Sequence, residues 1–355
     1  MQIQTDLLPL KDRKQKPENV LNVAFGTVFT DHMLSVEYCD GEWKAPLIHP
    51  FRPLNLNPAA LCLHYGQAIF EGMKSYRRGN RALLFRPQEN FKRFNRSANR
   101  MVMPELDLRF ALDSLIQLLI IERDWIPEVP GSSLYVRPTM IATEPKLGVK
   151  PSDEYLYYVI LSPVGPYFKA GFSPVKIMVS DKHVRAAKGG VGEAKTIGNY
   201  AASLKAGTIA NSIGYSQVLW LDAHERKYLE EVGTMNIFVV FEDELATPQL
   251  SGTILPGITR DSVIKIADHW GHSVNERKIS IDEVIEGLKT GKVKEVFGCG
   301  TAAIIAPVSH LYYKNQAYLV SEGKIGSLTQ RFYDEITGIQ SGEREDPFNW
   351  VVEVS

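Results

Sequence analysis

Apolar and polar positions along this chain mostly recur in short runs, and only a few stretches hold a helical period. Leu134-Tyr-Val-Arg137 and Tyr155-Leu-Tyr-Tyr-Val-Ile-Leu161 read as buried strands, and Ala82-Leu-Leu-Phe85 as a short strand that ends at Arg86-Pro87. Pro87 opens a helix over Gln88–Met101, with Phe91, Phe94, Ala98 and Met101 on one face. Arg93, Arg96 and Arg100 fall opposite that face, the pattern of a solvated side. Leu106–Trp125 is a second, strongly apolar helix stopped by Pro127. Ahead of these, residues 1–20 are polar and read as a loosely held arm. Short β-prone pieces follow in Asn22–Val36, and Asp40-Gly-Glu-Trp-Lys has the composition of a hairpin turn. Together they predict an α+β domain over residues 1–165.

Proline and glycine concentrate in Ser162–Pro174, which places an interdomain connection at residues 166–178 and a second domain at 179–355. Beyond the connection the pattern predicts a strand at Val175–Ser180 and a helix from about Tyr200 to Ile213, with Gly214 just past its end. A meander of strands follows in Gln217–Asp222, Lys227–Val232 and Asn236–Phe241, then helices at Ile258–Gly271 and Ile281–Thr290. Many short strands with few long helices suit a barrel-like sheet better than a doubly wound one.

Arg185-Ala-Ala-Lys-Gly-Gly-Val-Gly-Glu-Ala-Lys-Thr-Ile-Gly-Asn-Tyr200 fits neither period. Its glycines let the backbone turn sharply and approach a flat ligand. Lys195 stands between Ala194 and Thr196, away from other charges. A lysine desolvated in such a setting is a nucleophilic amine suited to Schiff-base chemistry, and Tyr200 can bring a phenol to the same site. The alternative is a glycine-rich surface loop carrying a solvated lysine. Composition separates the two no further. With 355 residues, 44% hydrophobic and 23% charged, the chain can build two cores. A net charge of −1 argues for neither nucleic acid nor an acidic membrane surface as partner. Cys39, Cys62 and Cys299 make no disulfide framework and fit a reducing compartment. No secretory signal is visible, and no run approaches the roughly 18 apolar residues of a spanning helix. A cytoplasmic location is expected.

Several motifs in order resemble the branched-chain amino-acid aminotransferases, class IV pyridoxal-phosphate enzymes. They are Phe25-Gly-Thr-Val-Phe-Thr-Asp-His-Met33, Leu63-His-Tyr-Gly-Gln-Ala-Ile-Phe-Glu-Gly-Met-Lys74, Ser133-Leu-Tyr-Val-Arg-Pro138 and Lys195-Thr-Ile-Gly-Asn-Tyr200. Glu231-Val-Gly-Thr-Met-Asn-Ile-Phe238, Ile254-Leu-Pro-Gly-Ile-Thr-Arg260 and Gly298-Cys-Gly-Thr-Ala302 complete the set. The resemblance covers roughly residues 20 to 350. It implies the D-amino-acid-aminotransferase-like α+β fold, with a smaller N-terminal domain, a pseudo-barrel C-terminal domain and pyridoxal 5'-phosphate between them.

The resemblance also implies roles. Lys195 is the Schiff-base lysine and moves the substrate proton. Glu231 is the carboxylate that keeps the pyridine nitrogen protonated, where pattern alone leaves Glu230 and Glu231 as a solvated pair. Tyr200 meets the cofactor's phenolic oxygen. Leu255-Pro-Gly257 is a turn opening directly into a helix, whose first amides suit a phosphate, although an ordinary capped helix reads the same way. The family places the amides of Ile258 and Thr259 and the hydroxyl of Thr301 there. Arg93 joins them on the resemblance alone, since periodicity opposes it, and Arg185 is a cation of the cofactor pocket.

For the substrate, Gly300-Thr301-Ala302 is a tight turn whose amides can hold an α-carboxylate, assisted by Tyr65. Phe25, Phe70, Tyr135, Tyr167 and Thr234 match side-chain-pocket positions, and Val149 a residue reaching in from a partner subunit. Strand alternation puts Arg137 on the face of Tyr135, and the resemblance makes it the receiver of glutamate's distal carboxylate. Ala303 and Ala306 stand where the mammalian branch has a Cys-x-x-Cys pair, so thiol switching is not expected. No metal is called for. The expected activity is transamination of leucine, isoleucine or valine with 2-oxoglutarate by a homodimer. A D-amino-acid transaminase, a lyase making 4-aminobenzoate and a non-catalytic binding protein are the alternatives, and the motif combination argues against each.

Overall fold

A computed structural model describes residues 2–167 and 171–354. Residues 168–170 of the expected connection lie outside the described residues. Backbone contacts divide the chain into two compact units. One comprises Met1–Tyr167, Ala194–Ile197 and Gly338–Ser355; the other comprises Phe168–Glu193 and Gly198–Thr337. The division at 179–355 read from composition therefore needs two corrections. Residues around Lys195 join the first unit because the Phe70 amide donates to the Lys195 carbonyl at 3.1 Å and Thr196 Oγ1 donates to the Ala68 carbonyl at 2.8 Å. The C-terminal segment joins it because strand Val351–Val354 pairs antiparallel with Arg81–Phe85. Both are long-range backbone pairings, which local composition does not encode.

The first unit is built on a ten-stranded sheet. Its long central pair, Ser133–Ala142 against Tyr155–Val164, runs in unbroken antiparallel register. Helices Pro87–Arg100 and Leu108–Ile121 are amphipathic, and Phe91, Phe94, Leu115 and Leu118 pack with Leu34, Tyr157 and Val159 of the sheet into one core. The second helix is shorter than its apolar run. Asp107 caps it by accepting from the Phe110 amide, and Arg123–Trp125 forms a separate turn of 3₁₀ helix. The N-terminal arm is not loose. Gln4–Thr5 pairs with Leu47–Ile48, and the Lys14 amide donates to Asp31 Oδ1 at 2.8 Å. On the arm's side those ties are made by backbone amides and carbonyls, so a polar composition conceals them.

In the second unit a nine-stranded sheet contains a closed ring. Round the ring, Leu229–Val232 pairs with Gln217–Leu221, then come Val175–Ser180, Ile304–Tyr313, Val293–Gly300 and Met235–Phe241, which pairs back to Leu229–Val232. Closure satisfies the edges of these strands, and Ile177, Leu219, Val232, Ile237, Val296 and Leu311 belong to the core. This is the barrel that many short strands predicted. The helix expected from Tyr200 to Ile213 is two pieces, Ile197–Ala201 and Leu204–Ser212, with Gly214 left-handed at φ 82° just beyond. Among the described residues no helix is long and apolar enough to cross a membrane.

Candidate active site

Lys195 is held by its backbone rather than by a helix. Its amide donates to Ser97 Oγ at 2.9 Å, its carbonyl accepts from Phe70, and Thr196 bridges Ile69. The half-buried side chain extends so that Nζ lies 4.9 Å from the centre of the Phe70 ring. Around it the first unit gathers four more of the expected pocket residues. Phe25 meets Tyr135 edge-on at 4.9 Å and Tyr167 at 5.6 Å. Arg137 lies 4.6 Å from the Phe70 ring and donates from Nη2 to the Tyr135 hydroxyl at 2.9 Å, which fits their placement on one strand face. Gly72 makes room for this ring, because a Cβ would stand 2.1 Å from the Tyr135 hydroxyl and displace it. Tyr65 and Val149 lie on the surface instead. Tyr65 donates to the Leu147 carbonyl at 2.7 Å, and Val149 is 85% exposed.

Arg93 overturns the periodicity reading. It is only 4% exposed and grips Glu71 with two bonds, Nε to Oε1 at 2.7 Å and Nη2 to Oε2 at 2.9 Å. Asn90 donates to the same carboxylate at 2.9 Å. The helix buries two stripes: Phe91, Phe94 and Ala98 into the core, and the polar set Asn90, Arg93 and Ser97 toward Glu71 and the Lys195 backbone. Arg96 and Arg100 remain solvated as expected. Glu71, Asn90 and Ser97 escaped the sequence reading. The detectable signal was a polar stripe at i, i+3, i+7 with two uncharged members.

Burial by itself raises the Glu71 carboxyl pKa, but Arg93, with help from Lys195 and Asn90, brings it below the ordinary carboxylate range. Its stabilising contribution is therefore complete above the unfolded value and is lost as pH falls through the lower folded value. Glu71→Ala leaves a buried guanidinium without its carboxylate and should cost about 3–5 kcal/mol in urea unfolding. A loss below about 1 kcal/mol would show that the pair is not a stability element.

In the second unit the expected residues sit on three adjacent turns. Leu229–Val232 and Met235–Phe241 are joined by Gly233-Thr234, with Gly233 at φ 60°. Glu231 pairs across this hairpin with Asn236, which pairs onward with Cys299 next to the Gly300–Ala302 turn. The third turn, Leu255–Gly257, is tied to the hairpin twice through Leu255. The Leu255 amide donates to Glu231 Oε1 at 2.6 Å, and Asn236 Nδ2 donates to the Leu255 carbonyl at 3.0 Å. Gly257 N-caps helix Ile258–His269 with no side-chain cap bond, and a Cβ there would stand 1.9 Å from Asn236 Oδ1. Gly257 brings no side chain of its own to the helix start, whose amides and positive dipole end suit an anion, and Asp261 lies in the first turn.

Glu230 and Glu231 are not a solvated pair, since both are buried. Glu231, 2% exposed, forms an ion pair with Arg185 Nε at 2.8 Å. Arg185 Nη1 also donates to the Thr253 carbonyl at 2.9 Å and the Gly192 carbonyl at 3.2 Å. Gly192 admits no side chain, because a Cβ would lie 2.4 Å from the Thr253 carbonyl oxygen. Half-buried Tyr200 lies on helix Ile197–Ala201, and Thr301 and Ala302 are half-buried in their turn.

Two sets of groups are now defined: a backbone-clamped lysine beside aromatic rings and arginines, and a buried carboxylate flanked by a helix start that opens on glycine. The family pattern described as Amino-transferase class IV matches residues 68–311. The chain belongs to the class IV aminotransferases. It is 50% identical to branched-chain-amino-acid aminotransferase 2 of Bacillus subtilis (strain 168), over 99% of this chain and 97% of that one. It is 52% identical to branched-chain-amino-acid transaminase 1 of the same organism, over 96% of each chain. Its backbone resembles the Escherichia coli branched-chain amino acid aminotransferase, at TM-score 0.75 and 28% identity, covering 92% of this chain and 99% of that one.

Proposed function

We propose that this protein is a pyridoxal-phosphate-dependent transaminase that passes the amino group of leucine, isoleucine or valine to 2-oxoglutarate. The observation that carries this reading is the near-full-length identity to relatives of that name in a chain whose Lys195, Tyr200 and Glu231 are intact. Incubation with leucine and 2-oxoglutarate should yield 4-methyl-2-oxopentanoate and glutamate. Absence of both products from a yellow, cofactor-loaded preparation would reject the substrate assignment.

The donor set suits the cofactor. Lys195 would hold it covalently, the amides of Ile258 and Thr259 with Thr301 and Arg93 would take its phosphate, Glu231 its ring nitrogen and Tyr200 its phenolic oxygen. When bound, the cofactor supplies an electron sink for the substrate's Cα–H bonding pair. The Lys195 amine takes the Cα proton and returns one in the opposite direction of transfer. Glu231 would keep a proton on the ring nitrogen, and Arg185 with the Leu255 amide holds that carboxylate in place. The amides of Thr301 and Ala302 would receive the substrate's α-carboxylate, and Thr234 would border its side-chain pocket. Tyr65 and Val149, being exposed, would serve the pocket of a partner subunit in a cytoplasmic homodimer.

Phe25, Phe70, Tyr135 and Tyr167 suit a branched apolar side chain, whereas glutamate brings a second carboxylate that is costly to bury unpaired. Arg137 answers this. Its Nε is buried with no hydrogen-bond partner, although Nη2 is held by Tyr135. A charge pair formed there should be worth about 2–4 kcal/mol when one partner is removed. Arg137→Met should slow the glutamate half-reaction roughly a hundredfold in single turnovers and the leucine half-reaction far less. Equal losses would mean that glutamate is recognised elsewhere.

A further inference from the structure

The second unit contains a cavity of about 680 Å³ that none of the residues assigned above to cofactor or substrate lines. Glu230, Thr253, Tyr228, Lys188 and Lys278 border it. On strand Leu229–Val232, Glu230 and Glu231 point to opposite faces, so the neighbour of the catalytic carboxylate looks away from it. Glu230 is 5% exposed, and its Oε1 accepts from Thr253 Oγ1 at 2.5 Å. Its Oε2 is buried with no hydrogen-bond partner. A buried carboxylate oxygen left in that state is costly, and a donor or cation brought beside it recovers the cost. Burial, only partly offset by Thr253, pushes the Glu230 carboxyl pKa up, which is the response of a carboxylate short of positive partners. The two lysines supply positive charge at other points of the wall. Lys278 is exposed, with its Nζ 4.6 Å from the Tyr228 ring, and Lys188 is exposed.

We propose that this cavity binds a small compound carrying both an ammonium and a carboxylate, the ammonium against Glu230 and the carboxylate toward Lys188 and Lys278. The site has a physical line to the chemistry. Thr253 donates its hydroxyl to Glu230 and accepts from Arg185 through its carbonyl, and Arg185 holds Glu231. A ligand that draws on Glu230 therefore acts on the threonine that positions Arg185, and so slows turnover. That last step rests on the transaminase reading, whereas binding does not.

The test is calorimetric titration of borohydride-reduced holoenzyme, in which Lys195 can no longer exchange with amines, by glycine, 4-aminobutyrate and 6-aminohexanoate. At least one should bind with one site per chain. Glu230→Gln, whose amide oxygen can still accept from Thr253, should weaken that binding at least tenfold, and Lys188→Met, at an exposed position, several-fold. Arg137→Met should leave it unchanged. Absence of binding by all three compounds, or equal affinity in Glu230→Gln, would overturn the proposal. Loss in Arg137→Met would do the same by placing the ligand in the substrate pocket. In the unreduced enzyme, a saturating binder should slow the leucine half-reaction of the wild type and not of Glu230→Gln. The same slowing in both would remove the coupling. Because the titration needs no turnover, it stands even if the activity assay fails.

Discussion

Lys195→Ala should reduce leucine transamination by about four orders of magnitude or more while the protein still folds. On the proposed assignment the size follows from losing at once the covalent anchor and the group that shuttles the Cα proton, the latter alone worth up to about 10⁴. Survival of the fold follows from how the residue is held. The bonds to Ser97 and Phe70 use the Lys195 amide and carbonyl, which alanine retains. What disappears is a cation beside the Phe70 ring and part of the charge that keeps Glu71 ionised. The stability cost should therefore stay near about 1 kcal/mol. Steady-state assay and urea unfolding measure the two effects separately. If the variant still carries cofactor on a lysine that borohydride fixes, the assignment to Lys195 is wrong.

Glu231→Gln is the second large effect, and it should separate binding from chemistry. Glutamine can still accept from the Leu255 amide, so the turn that leads into helix Ile258–His269 keeps its anchor and cofactor should remain bound. The charge is lost, and a neutral amide cannot hold a proton on the ring nitrogen. The first half-reaction with leucine should fall roughly 10²–10³-fold, the range for removing one preorganised electrostatic partner. Stopped-flow absorbance reads it directly. A secondary cost is expected because Arg185 keeps the Thr253 and Gly192 carbonyls but loses its anion. A buried cation so stranded should lower stability by up to about 3–5 kcal/mol. A leucine rate near that of the wild type would sink the assignment of Glu231, whatever the stability change.

Local pattern was enough where local rules decide structure. Alternation marked the strands carrying Tyr135 and Arg137, Pro87 marked a helix start, Gly214 a helix end, and Asp40-Gly41 a hairpin. The run of short strands announced a closed sheet, and the small-residue stretch around Lys195 marked a segment that stays irregular until helix Ile197–Ala201 begins. Tertiary structure decided which residues lose their water. Arg93 and Arg96 look alike on a helical wheel, yet one is buried on Glu71 and the other is solvated, because the acceptor lies 22 positions away. Glu230 and Glu231 are chemical twins in sequence. Strand alternation sends one to Arg185 and the Leu255 amide, and the other to Thr253 and a cavity wall. Lys195 itself is assigned to the first unit by two hydrogen bonds reaching back some 125 residues. Charge, period and turn chemistry are properties of neighbours along the chain, whereas desolvation and pairing depend on what folding brings beside each group.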